Sequence, residues 1–241
     1  MKLSTSFFQP LIFGLLALSL SFISCRDEED EEIEITAEDA ARIVGSGLSD
    51  NSDALEEQAD RSAQLNGAPN VAFDTLCGNP LDYMIDFRIS RNSRTFDYTA
   101  NGIRDGICTN DSLIAFQYTS SFTTRFFGPN YSSNGTGERN GRLDELRSDS
   151  TFYLWNGTTK KNTNGTLESR NETIQINSVL NYNSQLKIDK TSRRILSGTT
   201  DFTLSGSGDN VRAFSYSGSI TYLGSRQAEV QLNGRSYTVL Y

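Results

Sequence analysis

Apolar side chains recur at every second position through most of the chain after Leu81. A period of two places successive side chains on opposite faces of an extended strand. The clearest runs comprise Tyr83, Ile85, Phe87 and Ile89; Ile114, Phe116 and Tyr118; Ile174, Ile176, Leu180 and Tyr182; and Phe214, Tyr216, Ile220 and Tyr222. The alternation predicts half-buried strands, about ten of them before the chain ends at Tyr241.

Turn dipeptides punctuate these runs. Asn156-Gly157, Asn164-Gly165 and Asn233-Gly234 are of the type that supplies two positive-φ positions for a tight hairpin. Tight hairpins join sequence neighbours in antiparallel order. We therefore predict an all-β fold, an antiparallel meander that forms a curled sheet or a sandwich, with one or two short N-terminal helices.

The N-terminus has the features of an export signal. Lys2 supplies a positive start, residues 11–20 are mostly apolar, and Ser24 precedes Cys25. The segment from Ser21 to Cys25 resembles the lipobox of bacterial lipoproteins. The resemblance implies that residues 1–24 are a signal peptide and that acyl chains on Cys25 anchor the protein to the outer membrane. An ordinary signal peptide, which would leave Cys25 as a thiol, is the alternative.

An acidic run follows the cysteine directly, and it includes Asp27, Glu28, Glu29 and Asp30. The run resembles the export signal of surface lipoproteins in the Bacteroidota, which implies exposure of the protein at the cell surface. A solvated acidic spacer is the alternative. A barrel that spans the outer membrane is the rival architecture, because the chain ends on an aromatic residue, but the lipid anchor argues against it.

The negative charge of the chain is concentrated near its N-terminus. Of the 30 acidic and 22 basic residues, 14 acids but only 2 bases lie between Arg26 and Asp60. The remaining chain is slightly basic and has no concentrated basic stripe, so we predict no nucleic-acid partner. We assign residues 25–70 to an acidic tether and residues 71–241 to the β domain.

One or two short helices are predicted within the tether. Thr36 and Asp39 fit a capping box, and Gly45 with Gly47 would end the first helix. A second weak helix is predicted over residues 53–64. Neither has enough apolar surface to be stable alone, so each either packs on the β domain or stays mobile. Residues 35–41 also resemble the start of uncharacterised Bacteroidota lipoproteins, which implies no activity.

The chain contains no histidine, which removes the commonest general base and metal ligand. Ser184 and Lys187 have the spacing of a serine–lysine dyad, but they lie in a predicted strand, whereas that motif opens a helix. We predict a protein that is not an enzyme, with no catalytic residue, no metal and no cofactor.

Two covalent features are predicted for the exported part of the chain. Cys77 and Cys108 form an even pair, which indicates a disulfide in an oxidising compartment, and two buried free thiols are the alternative. Thr75, Ser112 and Ser150 each follow an aspartate in triplets that resemble the O-glycosylation sites of Bacteroidota proteins.

Aromatic side chains are the remaining candidates for ligand contact. Most should be core, but Trp155 precedes a predicted hairpin turn, and Tyr131 follows Phe126 and Phe127 near a Gly-Pro pair. The leading hypothesis is a non-enzymatic binding module whose partner is an outer-membrane protein or a carbohydrate. A carrier of lipids or lipoproteins with an apolar groove is the second hypothesis, and a histidine-free hydrolase the third. An empty groove lined by Phe126, Phe127 and Tyr131 would favour the carrier.

Overall fold

The computed structural model describes residues 32–67, 76–91, 93–110, 112–146, 149–170 and 172–241. One helix, α1 (Ala37–Gly67), precedes ten strands. The strands are β1 (Leu81–Arg91), β2 (Arg94–Thr109), β3 (Ser112–Phe127), β4 (Tyr131–Asp144), β5 (Phe152–Ser169), β6 (Glu172–Asp189), β7 (Ile195–Gly208), β8 (Val211–Gly224), β9 (Gln227–Leu232) and β10 (Arg235–Leu240).

All ten strands form one antiparallel sheet in which spatial order follows sequence order. The sheet is curled and not closed, and β1 and β10 are its edges. The predicted all-β meander of about ten strands is therefore confirmed, and of the two predicted architectures the protein adopts the curled sheet. Its single helix is longer than the short helices predicted.

The helix begins as its sequence predicts. The backbone N–H of Asp39 donates to Thr36 Oγ1 at 3.2 Å, and that of Thr36 donates to Asp39 Oδ2 at 3.2 Å. These reciprocal bonds form a capping box, which satisfies amides that a helix N-terminus leaves without partners. The predicted cap is confirmed.

Gly45 and Gly47 do not end the helix, so the predicted helix end is wrong, and of the one or two helices predicted the described residues form one. Both lie within α1, where the sheet approaches the helix backbone closely. A Cβ on Gly47 would lie 2.6 Å from Leu180 Cδ2, and one on Gly45 would lie 3.2 Å from Val239 Cγ1. At Gly47 a side chain would have no room, whereas at Gly45 it would make one tight contact, so close packing outweighs the low helix propensity of glycine most clearly at Gly47.

The curled sheet packs around α1, which supplies much of the core. Ile43, Val44, Leu48 and Leu55 of the helix are all buried in one cluster with side chains from the sheet, including Tyr182. Residues 33–241 form one compact unit. The helix, which we assigned to the tether, thus belongs structurally with the β domain.

Two of the three predicted Asn-Gly turns are wrong. Asn156-Gly157 and Asn164-Gly165 both lie inside β5, which runs without interruption to Ser169. Gly157 pairs with Gly141 across the β4–β5 ladder, and the ring of Trp155 lies over both glycines. The glycine therefore provides space for an aromatic ring and not a turn. Only Asn233-Gly234 forms a hairpin turn, with φ angles of 49° and 74°.

Other alternating runs have the predicted orientation, with one exception. Ile85, Ile174, Tyr182 and Ile220 are buried as expected, but Ile114 is exposed. Ile107 and Cys108 of β2 pair with Ala115 and Leu113, so Ile114 is the additional residue of a β-bulge. A bulge changes which face later side chains occupy, and no sequence period reveals it.

The predicted disulfide between Cys77 and Cys108 is confirmed, with a Cα–Cα distance of 5.7 Å. Cys77 also forms an isolated bridge with Gly106, which places the segment before β1 against the C-terminal part of β2. In the chain-entropy model a loop of this length stabilises the fold by about 3.5 kcal/mol.

Candidate functional site

The concave side of the sheet carries charged residues that the sequence analysis did not single out. Asp50 of α1 and Lys161 of β5 form an ion pair in which each side chain is only 3 % exposed. Isolated charges at such a depth are costly, so each group depends on the other. The signal in the sequence is weak but real, because Lys161 has the parity of Trp155, Thr159 and other inward residues of β5.

A second buried base lies beside this pair. Arg139 of β4 donates from Nη2 to Asn51 Oδ1 at 2.9 Å, and its guanidinium carbon lies 5.7 Å from the ring centroids of both Tyr98 and Phe122. Thr159 Oγ1 donates to the same Asn51 oxygen at 3.1 Å. Arg139 is thus fixed by one amide oxygen and two aromatic faces.

Two carboxylates further along α1 hold arginines from three parts of the sheet. Asp53 Oδ1 accepts from Arg226 Nη1 at 2.7 Å and from Arg91 Nη1 at 3.3 Å. Glu56 accepts from Arg226 Nη2 at 2.6 Å and from Arg194 Nη1 at 2.8 Å. The backbone N–H of Ile195 donates to the other oxygen of Glu56. We call Asp53, Glu56 and these three arginines the helix–sheet clamp.

Burial changes the titration of two of these carboxyl groups. It raises the pKa of Asp50 to about 6, although the ammonium group of Lys161 lowers it. It also raises the pKa of Glu56 to about 7, against the lowering effect of Arg226. Carboxyl groups that titrate near neutral pH are candidates for general acid–base catalysis. Both carboxylates, however, are engaged by basic side chains of the sheet, Asp50 by Lys161 and Glu56 by Arg226, so this arrangement is better explained as structural.

A cleft of about 440 Å³ lies beside β10 and is the candidate ligand site. Its volume is within the range of small-ligand sites. The floor is the first part of α1, one wall is the edge strand β10, and the other is the hairpin between β3 and β4. We call it the β10 cleft; residues that line it include Ala41, Arg42, Gly45, Arg94, Phe126, Pro129, Tyr131, Tyr237, Thr238, Val239 and Leu240.

The cleft combines apolar surface with two arginines. Arg42 is already paired with Glu38, with Nη2 lying 2.6 Å from Oε1. Arg94 donates from Nη1 to the backbone oxygen of Leu240 at 2.9 Å and makes no ion pair with the residues that the structure describes. Glu38 and Ser46 of α1 also line the floor, so the apolar surface of the β10 cleft comes mainly from Ala41, Phe126 and Val239. Arg94 adds a cationic group at the rim.

The two predicted aromatic contacts have different positions. Tyr131 is buried and lines the β10 cleft, together with Phe126. Trp155 was expected at an exposed hairpin end, but it is only 2 % exposed and packs against Tyr118. Its predicted exposure is wrong because the Asn-Gly pair that follows it continues the strand. Phe127 points away from the core and is 48 % exposed.

The serine–lysine spacing does not form a dyad. Ser184 is buried and accepts a hydrogen bond from Thr200 Oγ1 at 2.8 Å. Lys187 lies on the opposite face of β6, where its ammonium group is 4.8 Å from the ring centroid of Phe152. Residues three apart on a strand face opposite ways, so the serine has no lysine to activate it.

Several predicted sites lie outside the described residues. These are Cys25, the export-signal residues Asp27, Glu28, Glu29 and Asp30, and Thr75. Ser112 and Ser150 are both partly exposed, and Ser150 Oγ donates to the backbone oxygen of Phe152 at 2.5 Å. Glycosylation at these positions stays a prediction.

Within the described ranges no helix is long and apolar enough to cross a membrane. The same residues contain no cluster of three or more acidic, cysteine or histidine side chains arranged to hold a metal ion. In comparison with known proteins, the chain matches no family model, no curated protein and no solved structure.

Proposed function

We propose that the protein is a lipid-anchored, non-enzymatic binding module of the outer membrane whose ligand binds in the β10 cleft. The observation that supports the proposal is the cleft itself. Ala41, Phe126 and Val239 give it apolar surface, and Arg94 adds a positive charge at the rim. Ligand pockets in proteins typically combine a mostly apolar lining with a few placed polar groups.

The position of the cleft also refines the second hypothesis, a carrier of lipids or lipoproteins. The hollow of the curled sheet is filled by α1, and Leu48 and Leu55 of that helix are buried. An apolar chain would therefore bind at the edge of the sheet beside Phe126 and Tyr131. We propose this carrier role as the alternative function of the same site.

Binding can be tested with the neutral fluorescent probe N-phenyl-1-naphthylamine. Leu240 lines the cleft, and Leu223 lies on β8 away from it; the two are 48 % and 56 % exposed. We expect Leu240→Ser to weaken binding of the probe several-fold and Leu223→Ser to leave it unchanged. Equal binding by both variants, or no binding by the wild type, would refute the cleft as the ligand site.

The anchor is tested separately by cell fractionation. Cys25→Ser removes the sulfur that would carry the lipid, so we expect the variant in the soluble fraction. Retention in the membrane after signal cleavage would contradict lipidation.

Surface exposure depends on the acidic run after the anchor. If the run is an export signal, replacing Asp27, Glu28, Glu29 and Asp30 by alanine should protect the domain from protease added to whole cells. Equal cleavage of variant and wild type would leave the run as a spacer.

A further inference from the structure

The edge strand β10 has backbone groups that pair with no other strand among the described residues. It pairs with β9 alone, and Leu232 and Arg235 flank the two-residue turn between them. In such a hairpin the flanking pair is hydrogen-bonded, and bonded and non-bonded pairs then alternate. The backbones of Tyr237 and Val239 consequently face β9, whereas those of Ser236, Thr238 and Leu240 face away from it.

Two further bonds agree with this alternation. The N–H of Tyr241 donates to the backbone oxygen of Arg226, which continues the ladder toward β9. The oxygen of Leu240 faces the other way and accepts from Arg94. Among the described residues, no group bonds to the backbone of Thr238 on its free side. Thr238 thus presents an N–H and a C=O beside the β10 cleft.

The other edge of the sheet is protected. On β1 the same alternation directs the backbone of Met84 outward, and its oxygen accepts a bond from Arg61 Nη1 of the helix at 2.6 Å. Asp82, Asp86 and Arg88 add charges along that strand. Sheets commonly protect their edges in these ways because an open edge can pair with another chain. In the part of the chain that the structure describes, nothing comparable covers the edge of β10 next to Thr238.

The β10 cleft supplies what an added strand would need. Successive side chains of an extended peptide point to opposite faces, so every second one would reach the floor. There Ala41 and Gly45 provide the apolar part, next to Glu38 and Ser46. Phe126 and Pro129 form the opposite wall. Arg94 at the rim makes no ion pair with the described residues and would complement a carboxylate on the incoming peptide.

We infer that β10 binds an extended segment of a partner protein by strand addition, with alternate apolar side chains in the β10 cleft and an acidic residue near Arg94. The inference deepens the proposed function, on which it rests, by naming the class of ligand. In strand addition the main-chain bonds provide affinity and the pockets for alternate side chains provide specificity. Thr238 is the residue whose backbone makes those bonds.

The test starts with random seven-residue peptides displayed on phage and selected on the wild-type protein. We expect the selected peptides to alternate apolar and polar residues and to carry an acid. Thr238→Pro removes the free N–H without touching the ladder to β9, and it should weaken binding of these peptides at least tenfold. Ser90→Pro is the matched control because it removes an outward N–H from β1, the other edge, and it should change binding less than twofold.

A measurement on the wild type avoids dependence on the folding of a proline variant. Hydrogen exchange at the amides of Thr238 and Leu240 should slow when a selected peptide is bound. Peptides that leave this exchange unchanged, or that bind Thr238→Pro as tightly as wild type, would overturn the inference. So would a failure to select any peptide.

Other occupants of the edge give distinct results. Self-association of the wild type in sedimentation experiments, abolished by Thr238→Pro, would identify a second copy of the chain and overturn the assignment to a partner. Binding of N-phenyl-1-naphthylamine that depends on Leu240, with no peptide selected, would overturn strand addition and leave the proposed function standing.

Discussion

Arg226, in the turn between β8 and β9, forms an ion pair with Asp53 of α1, with Arg226 Nη1 lying 2.7 Å from Asp53 Oδ1. The same oxygen accepts a bond from Arg91 at 3.3 Å. Arg91 ends β1, whereas Arg226 precedes β9, the neighbour of the other edge strand. One helix carboxylate therefore connects the two ends of a sheet whose first and last strands do not pair.

The arginine is presented to the helix by a strained turn. Ser225 and Arg226 form the two-residue connection between β8 and β9, with φ angles of 52° and 61°. The left-handed region is unfavourable for such residues and costs on the order of 1 kcal/mol each. Glycine or asparagine would suit the turn better, so the ion pairs of Arg226 with Asp53 and Glu56 explain why arginine is present.

We predict that Arg226→Asn lowers the free energy of unfolding by about 2 kcal/mol. Asparagine tolerates positive φ, so the lost stability would come from the missing ion pairs and not from a change in the turn. Ser225→Asn at the preceding position is the control and should change stability by less than about 0.5 kcal/mol. Urea denaturation measures both variants, and equal midpoints would show that the clamp does not stabilise the fold.

The buried pair of Asp50 and Lys161 should show strong coupling. Lys161→Met leaves the carboxyl group of Asp50 buried without a cation, and we expect a loss of about 3 kcal/mol. Asp50→Leu should cost a similar amount, because it leaves the ammonium of Lys161 unpaired. The double variant removes both buried charges and should be more stable than either single variant.

Lys160→Met is the matched control for this cycle. Lys160 is the chain neighbour of Lys161 but lies on the exposed face of β5, so its loss should be within about 0.5 kcal/mol. A double-mutant cycle by urea denaturation gives the coupling energy. Additive effects of the two core substitutions would mean that the pair contributes nothing as a pair.

Stability should fall as the pH rises from about 5 to 8. The folded-state pKa values of Asp50 and Glu56, about 6 and about 7, lie above their ordinary values of 3.8 and 4.5. Between the ordinary and the raised values the folded protein binds more protons than the unfolded chain. The stabilisation by these groups is therefore complete below the ordinary values and is lost as the pH rises through the raised ones.

We expect the free energy of unfolding to drop by on the order of 4 kcal/mol across this range. The glutamine side chain of the Glu56→Gln variant cannot ionise, so the stability of this variant should depend less on pH near pH 7. Denaturation at constant ionic strength from pH 5 to pH 8 makes the comparison. A wild-type profile that rises with pH would contradict the raised pKa values.

The strands could be predicted from the sequence because burial on one face imposes a period of two. Tyr182, Leu204 and Val230 all obey it. Asn-Gly pairs were a poorer guide, since the pair after Trp155 serves ring packing within a strand. Ile114 was misplaced by a bulge. A local sequence pattern cannot distinguish a turn from a continuing strand, or a regular strand from a bulged one. Each outcome depends on the residues of the neighbouring strand.

The site was much harder to predict than the fold. Thr238 and Phe126 face the same cleft only because the sheet curls until β10 approaches the β3–β4 hairpin. No local sequence pattern encodes that approach. The polar sequence of α1 was equally misleading, because it predicts a solvated helix. Acids such as Asp50 are in fact buried against basic partners on the strands, which the sequence alone does not identify.

The two internal glycines of α1 give the last prediction, because they separate helix propensity from packing. Replacing a mid-helix glycine by alanine favours the helix by about 1 kcal/mol when space permits. At Gly47 the new Cβ would lie 2.6 Å from Leu180 Cδ2 and 2.7 Å from the hydroxyl oxygen of Tyr182. Leu180 lies on the central strand β6, which has a neighbour on each side and cannot easily move.

Gly47→Ala should therefore destabilise the protein by about 1–2 kcal/mol despite the better helix former, as overpacked cores do. At Gly45 the nearest contact is 3.2 Å from Val239 Cγ1, on the edge strand β10, which is bound on one side only and can shift by a few tenths of an ångström. Gly45→Ala should consequently be neutral or slightly stabilising. Urea denaturation of the two variants side by side measures the difference. Equal stabilisation by both would mean that the sheet yields to the helix at β6 as readily as at β10, and that close packing does not explain these glycines.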